Sequence, residues 1–196
     1  MARLAGTKSE DTKKTILEQA TKIFEQKGYS STSMMDIRQE TQLSKGTIYY
    51  HFKDKEDLYL SCLHLSSLNL ITKWTEYENT VSGAINKLFL WAELYEIEMK
   101  KPLSQTISDY IISTKKEFLN DSIIKLVEPE INVVKSILLE GKSSGEFRND
   151  MDTDQVSLIL YNFISTLDDI PMYRTDENFK TLYKEAVNII VKGIKS

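Results

Sequence analysis

From Asp54 to Trp74 the chain carries neither proline nor glycine. Leu58, Leu60, Leu63, Leu65, Leu68 and Ile71 run through this stretch, which reads as one uninterrupted helix capped by Asp54, with Asp57 three residues on as a near capping box. The same shortage of breakers holds throughout. Three prolines and seven glycines in 196 residues, with few Asn-Gly or Asp-Gly turns, predict an all-α fold of about nine helices.

A chain of this length holds one medium or two small domains with a proper core. Its 41% hydrophobic and 28% charged residues are ordinary for a globular protein. No run approaches 18 uncharged apolar residues, so no membrane span is expected. Met1-Ala2-Arg3-Leu4-Ala5-Gly6 lacks the apolar centre of a signal peptide. Cys62 stands alone, which excludes an internal disulfide and fits a reducing cytoplasm. The net charge of −4 is unevenly spread: residues 1–60 hold ten Lys/Arg against nine Asp/Glu, so the acidic excess falls on the remainder.

The segment Thr32 to Phe52 has a distinctive surface. Thr32 or Ser33 caps a short helix with Asp36 in its first turn, and Met34, Ile37 and Thr41 share one face. Thr41-Gln42-Leu43-Ser44 then turns the chain; Leu43 plugs the corner and Ser44 caps a second helix, Lys45 to about His51. If Gln42 takes a left-handed conformation, the strain is about 1 kcal/mol. Ile48 and Phe52 point inward. Lys45, Gly46, Thr47, Tyr49, Tyr50 and His51 are left facing out: a cation, bare backbone, hydroxyls and phenols on a helix sized for a major groove. Lys45, Tyr50, His51 and Lys55, with Thr32 and Ser44, are assigned to phosphates. Thr47 and Tyr49 are assigned to base edges, Gly46 to close backbone approach, and Ser33 joins the DNA-facing set.

At these residues the chain resembles the TetR family of bacterial transcriptional regulators. The resemblance is carried by Lys27-Gly28-Tyr29, by Thr32-Ser33-Met34-Met35-Asp36-Ile37, by Leu43-Ser44-Lys45-Gly46-Thr47-Ile48-Tyr49-Tyr50-His51-Phe52, and by Lys53-Asp54-Lys55-Glu56-Asp57-Leu58. It is specific over about residues 12 to 60 and only organisational beyond. Many relatives have Ala-Gly where this chain has Thr41-Gln42. The resemblance implies a helix-turn-helix DNA-binding domain over residues 1–53 and a helical effector-binding and dimerisation domain over 54–196. It further implies a repressor that binds a palindromic operator as a homodimer and is released by a small-molecule effector.

Around this segment the chain reads as supporting helices. Residues 1 to about 9 look like a loose arm, with Arg3 and Lys8 within reach of DNA as the alternative. Ser9 then caps a first helix with the apolar stripe Ile16, Ala20, Ile23 and Phe24, ended by Gly28. Val81 to Lys100 forms a largely buried helix, and Pro102 starts another, Leu103 to about Ser113. Phe118 to about Glu140 is helical but contains Pro129, which either kinks it or splits it. Residues 141–147 read as a loop. The last two helices, Asp152 to Leu167 and Glu177 to Gly193, are apolar on more than one side. A second subunit is the natural cover, with Phe163 and Ile190 as interface positions; a fully internal pair is the alternative.

Trp91, Tyr95, Tyr110 and Tyr161, with Asn69 as a polar contact, are the candidate effector-lining residues, suited to an apolar or cationic ligand. Aromatic residues at helical spacing are also what a plain core contains. Two histidines, one cysteine and no glycine-rich phosphate turn or nucleophile motif leave nothing from which to assemble a catalytic set, so no enzyme, cofactor or metal site is expected. The competing reading is a helical interaction protein that no longer reads DNA specifically. The expected partners are double-stranded operator DNA, a second copy of the chain and a small effector, in the cytoplasm at the nucleoid.

Overall fold

A computed structural model describes residues 2–115, 121–167 and 176–196, with side chains described over 9–115, 123–167 and 181–196. The expected helix start at Phe118 and the side chains of Arg3, Lys8 and Phe179 lie outside what is described. Nine α-helices make up the described fold: α1 (Ala2–Lys27), α2 (Met34–Thr41), α3 (Lys45–His51), α4 (Lys55–Tyr77), α5 (Ala84–Met99), α6 (Ile107–Thr114), α7 (Asp121–Ser144), α8 (Thr153–Ser165) and α9 (Asp176–Ile194). Single 3-10 turns precede α5 and α6. Among the described residues there is no strand, only an isolated antiparallel bridge between Phe147 and Lys195.

Two helix boundaries differ from expectation, and an alternative left open at Pro129 is decided. Helix α1 starts at Ala2, so Ser9 lies inside it and the first residues are not a loose arm; Ala, Leu and Lys propagate a helix well and only Gly6 opposes it. Helix α7 passes through Pro129 without splitting. The missing amide costs one helical hydrogen bond, but Val133, Val134, Ile137 and Leu138 beyond it are all buried, and that packing outweighs the loss. Residues 141–144 are not loop but the end of the same helix. Gly141 serves close packing there: a Cβ on it would overlap the Phe147 ring and come 2.8 Å from the Ala84 Cβ. The helix ends instead at Gly145, whose φ of +80° is open to glycine at little cost.

The chain divides into two compact units, Met1–Ser66 with Lys101–Ile123, and Ser67–Lys100 with Ile124–Ser196. In the first, Ile16, Ala20, Ile23 and Phe24 of α1 are buried with Ile37, Ile48, Phe52, Leu58 and Tyr59. The core thus fixes both short helices of the Thr32–Phe52 segment against longer ones. The second unit is centred on Trp74, Leu88, Trp91, Tyr95, Val134, Ile137, Leu138, Leu160, Ile164, Tyr183 and Val187. The carboxylate of Glu146 reaches the start of α5, accepting from the amides of Ala84 (2.8 Å) and Ile85 (3.2 Å). Burial raises its pKa, but those amides outweigh the effect and hold it below the ordinary carboxylate range.

Candidate nucleic-acid interface and effector-binding cluster

The two short helices owe their rigidity to their caps. Ser33 caps α2 with a full capping box: its hydroxyl accepts from the Asp36 amide at 3.1 Å, and the Asp36 carboxylate accepts from the Ser33 amide at 2.8 Å. The Ser33 hydroxyl also contacts that carboxylate, and Lys27 Nζ lies 2.6 Å from it. Donation from Lys27 first, then from Ser33, holds the Asp36 carboxyl well below its ordinary range. At the corner Gln42 is left-handed, φ 55° and ψ 20°, as the turn requires. Ser44 then caps α3, accepting from the Thr47 amide at 3.1 Å, with its hydroxyl 2.8 Å from the Thr47 hydroxyl.

On α3, Ile48 is buried and Phe52 closes the helix from below, its amide donating to the Ile48 carbonyl. Lys45, Gly46, Tyr49 and Tyr50 are exposed; Thr47 and His51 are half-buried. Tyr50 has 78% of its surface free, with its ring edge-on to His51 at 5.0 Å, while Lys45 Nζ lies 5.6 Å from the Tyr49 ring centre. Gly46 is informative because nothing internal demands it. A Cβ there would meet only Ser44 Oγ at 3.8 Å, ordinary contact, and its φ is not in the left-handed region. A glycine within a helix costs up to about 1 kcal/mol relative to alanine, and less in the first turn, where Gly46 lies. No contact within the protein offsets that cost.

Two expected phosphate contacts are placed elsewhere. Thr32 is buried and its hydroxyl donates to the Gly28 carbonyl at 2.7 Å, because the turn after α1 folds it under. Lys55 turns inward as well: Nζ donates to the carbonyls of Tyr29 and Thr32, each at 2.9 Å, and sits 4.2 Å from the Tyr29 ring centre. Burial lowers its pKa, and Asp109 partly counters that. The Lys55 bonds join residues 26 and 23 positions apart, so helical periodicity gave no hint of them.

The expected effector liners separate in the same way. Trp91, Tyr95 and Tyr161 come together in the second unit, Trp91 with Tyr95 at 6.3 Å between ring centres and Tyr95 with Tyr161 at 5.9 Å. Trp74 adds an edge contact to Trp91 at 5.7 Å, and Tyr183 lies 6.5 Å from Tyr95. Tyr110 does not join them; it packs in the first unit against Tyr29 and Tyr59. Asn69 is exposed, because Ser67, Leu70 and Trp74 take the inward positions of α4 and leave residue 69 about 100° per residue off that face.

Sequence reasoning missed the acidic groups beside these rings. Glu96, Glu98 and Glu130 are all buried in the second unit. Glu130 accepts from Ser67 Oγ at 2.6 Å and from the Tyr161 hydroxyl at 2.9 Å. Burial pushes its carboxyl up to about 7, with the Glu98 charge adding to the rise and the two hydrogen bonds opposing it. Glu96 pairs with Lys100 at 2.8 Å. Among the described residues, Trp91 Nε1 is the one buried side-chain polar atom without a hydrogen-bond partner. A carboxylate one residue after a proline in a long helix was the available signal, though its burial depends on folding.

The end of the second unit carries an apolar stripe. On α8, Leu158 (48%), Ile159 (57%) and Phe163 (38%) are exposed, with Asn162 and Thr166 alongside, and on α9 Ile189 is 52% exposed. Phe163, one of the two expected interface positions, is therefore open to solvent in the single chain. Ile190 is half-buried and packs on its own core, so Ile189 takes its place on the outer face.

The comparisons with known proteins agree with this geometry. Residues 16–62 match the family described as bacterial regulatory proteins, tetR family, and residues 66–196 match the QacR-like protein, C-terminal region. The HTH-type transcriptional regulator QacR of Staphylococcus aureus is 30% identical over 155 residues, 78% of this chain and 82% of the relative. Among solved structures, the transcriptional regulator FadR from Bacillus subtilis, in complex with stearoyl-CoA, superposes with a TM-score of 0.72 at 22% identity, covering 92% of this chain and 98% of that one. A TetR transcriptional regulator from Chloroflexus aurantiacus gives 0.73 at 18% identity over 96% and 98%. At such identities these structures speak to the fold.

Proposed function

The chain belongs to the TetR family of bacterial transcriptional regulators, and from that premise we propose that it is a homodimeric repressor of a palindromic operator, released by an apolar cation. DNA reading is assigned to residues 1–53 and effector binding with dimerisation to 54–196. Lys45, Tyr50, His51 and Ser44 contact phosphates, Thr47 and Tyr49 read base edges, and Ser33 holds the end of α2 at the backbone. Gly46 carries the DNA reading, since it lies on the exposed face of α3 and the protein's own packing does not explain its identity. Gly46→Ala is therefore expected to stabilise the fold by about 0.5–1 kcal/mol while weakening operator binding. Denaturant melts and gel shifts read the two effects separately. A variant that gains stability and keeps its affinity would remove Gly46 from the interface.

The effector class follows from charge. Trp91, Tyr95 and Tyr161 supply ring faces, and the buried carboxyls of Glu98 and Glu130 lie in the same unit; a cation would draw the proton off Glu130, which is pushed up to about 7, whereas an anionic acyl compound would meet only acidic groups. Tetraphenylphosphonium and tetraphenylborate have nearly the same shape and opposite charge. Binding of the cation should exceed that of the anion at least about tenfold, a modest electrostatic preference of about 1.4 kcal/mol. Equal binding, followed by intrinsic tryptophan fluorescence, would defeat the cation assignment. Helix α4 is assigned the transmission: it is continuous over 23 residues and contributes to both units. An effector that changes the separation of two recognition helices from the roughly 34 Å demanded by adjacent half-sites would release the operator. No helix among the described residues is long and apolar enough to cross a membrane. A cytoplasmic, nucleoid-associated regulator without catalytic activity is the reading that accompanies this assignment.

A further inference from the structure

The turn that joins α1 to α2 is held from two sides by opposite charges. From the start of α4, the Lys55 ammonium donates to the carbonyls of Tyr29 and Thr32, both at 2.9 Å, and covers the Tyr29 ring. From α6, the Asp109 carboxylate accepts from the Ser30 amide at 2.8 Å. The same carboxylate oxygen lies 2.8 Å from where a Cβ on Gly28 would sit, and Gly28 has φ +77°, so this position admits glycine on two grounds. Around the turn, the rings of Tyr29, Tyr59 and Tyr110 stand about 5 Å apart, at 4.9 and 5.1 Å. Two further bonds tie the α6 segment to α4: Tyr110 donates to Glu56 at 2.7 Å, and the hydroxyls of Tyr59 and Thr106 lie 2.8 Å apart.

The held turn leads directly into the reading helices. Thr32 closes it by donating to Gly28, and the next residue, Ser33, is the cap of α2. Any rotation of the turn is passed to α2 and, across the single left-handed corner at Gln42, to α3. We infer that Lys55 and Asp109 are positioning residues for operator binding, which set the pitch of the recognition helix by clamping the Tyr29–Thr32 turn without touching DNA themselves. The inference rests on α3 being the DNA-contacting helix. It gives a cation that would otherwise be counted among phosphate contacts an internal task, and it gives an acidic residue 79 positions from Ser30 a role in DNA affinity.

Charge makes the two roles separable. The probe is a duplex enriched by the wild-type protein from a randomised library, and affinity is measured over a potassium chloride series at a temperature where circular dichroism shows each variant fully folded. Lys55→Met should weaken binding about tenfold or more, the scale of a lost charge-assisted hydrogen bond, with the wild-type salt slope retained. A phosphate contact would instead lower that slope by about 0.9. Lys55→Arg keeps the charge but not the fit to two carbonyls, so it should also bind weakly; a phosphate contact would tolerate it. Asp109→Ala removes an acidic charge, which by long-range electrostatics alone would tighten binding; positioning predicts a loss instead. Asp109→Asn retains an acceptor for the Ser30 amide and should recover most of that loss. The double variant Lys55→Met with Asp109→Ala should lose less than the sum of the singles, since both act on one turn. A reduced salt slope in Lys55→Met, wild-type affinity in either folded Lys55 variant, or unchanged or tighter binding by Asp109→Ala would overturn the inference. A wild-type protein that enriches no duplex would fail earlier, at the DNA reading itself.

Discussion

Glu130 gives the second unit a stability that depends on pH in an unusual direction. Its carboxyl is buried between Ser67 and Tyr161 and titrates at about 7 instead of near 4.5. Because the folded value lies above the unfolded one, the folded chain holds a proton between those pH values that the unfolded chain has released. Stability from this group is therefore fully present below about pH 4.5 and is lost as pH rises through 7. At about 1.4 kcal/mol per pH unit the loss totals about 3 kcal/mol, most of it falling between pH 5 and pH 8. Asp36 and Glu146, held below their ordinary values, act with the opposite sign and only under acid conditions. Glu130→Gln removes the titration and keeps one acceptor for the two hydroxyls. Its stability relative to wild type should rise by about 2–3 kcal/mol from pH 5 to pH 8, whatever the offset between them. Urea unfolding at fixed protein concentration reads this directly, since a dimer's stability depends on concentration. Parallel pH profiles would refute the reasoning.

Two further outcomes follow from packing. Gly141→Ala should destabilise the fold by about 1–3 kcal/mol, because its methyl overlaps the buried Phe147 ring; a melting temperature equal to wild type would show that the ring can retreat. Phe163→Glu places a charge in the apolar stripe of α8 and should yield a folded monomer in sedimentation with greatly reduced operator affinity, as two half-sites no longer bind together. A folded dimer would move the interface elsewhere.

What could be read from the sequence was what depends on neighbours along the chain. The caps at Ser33 and Ser44, the inward stripe of α1 and the exposed face of α3 all follow from residue type and helical spacing. Pro129 could not be decided locally, because a proline's cost is weighed against burial of residues a turn and more beyond it. Gly141 misled for the same reason: a glycine that admits an aromatic ring looks like one that ends a helix. Lys55 and Glu130 were the deeper misses. A lysine near a DNA-reading helix and a glutamate in a long helix both look solvated until partners 26 and 63 residues away are brought to them.

The solitary thiol sets the terms on which this molecule can be labelled. Cys62 is 1% exposed, lies 3.8 Å from the Leu17 carbonyl and is pushed by burial up to about 11. At neutral pH only about one such thiol in ten thousand is ionised, and maleimides and methanethiosulfonates react through the thiolate. Native Cys62 can therefore remain in place while Glu40→Cys, at an exposed position on α2, takes a spin label or a dye. In a homodimer that single substitution supplies both ends of a ruler, and the distance it reports, with and without effector, follows the separation through which we propose that the operator is released.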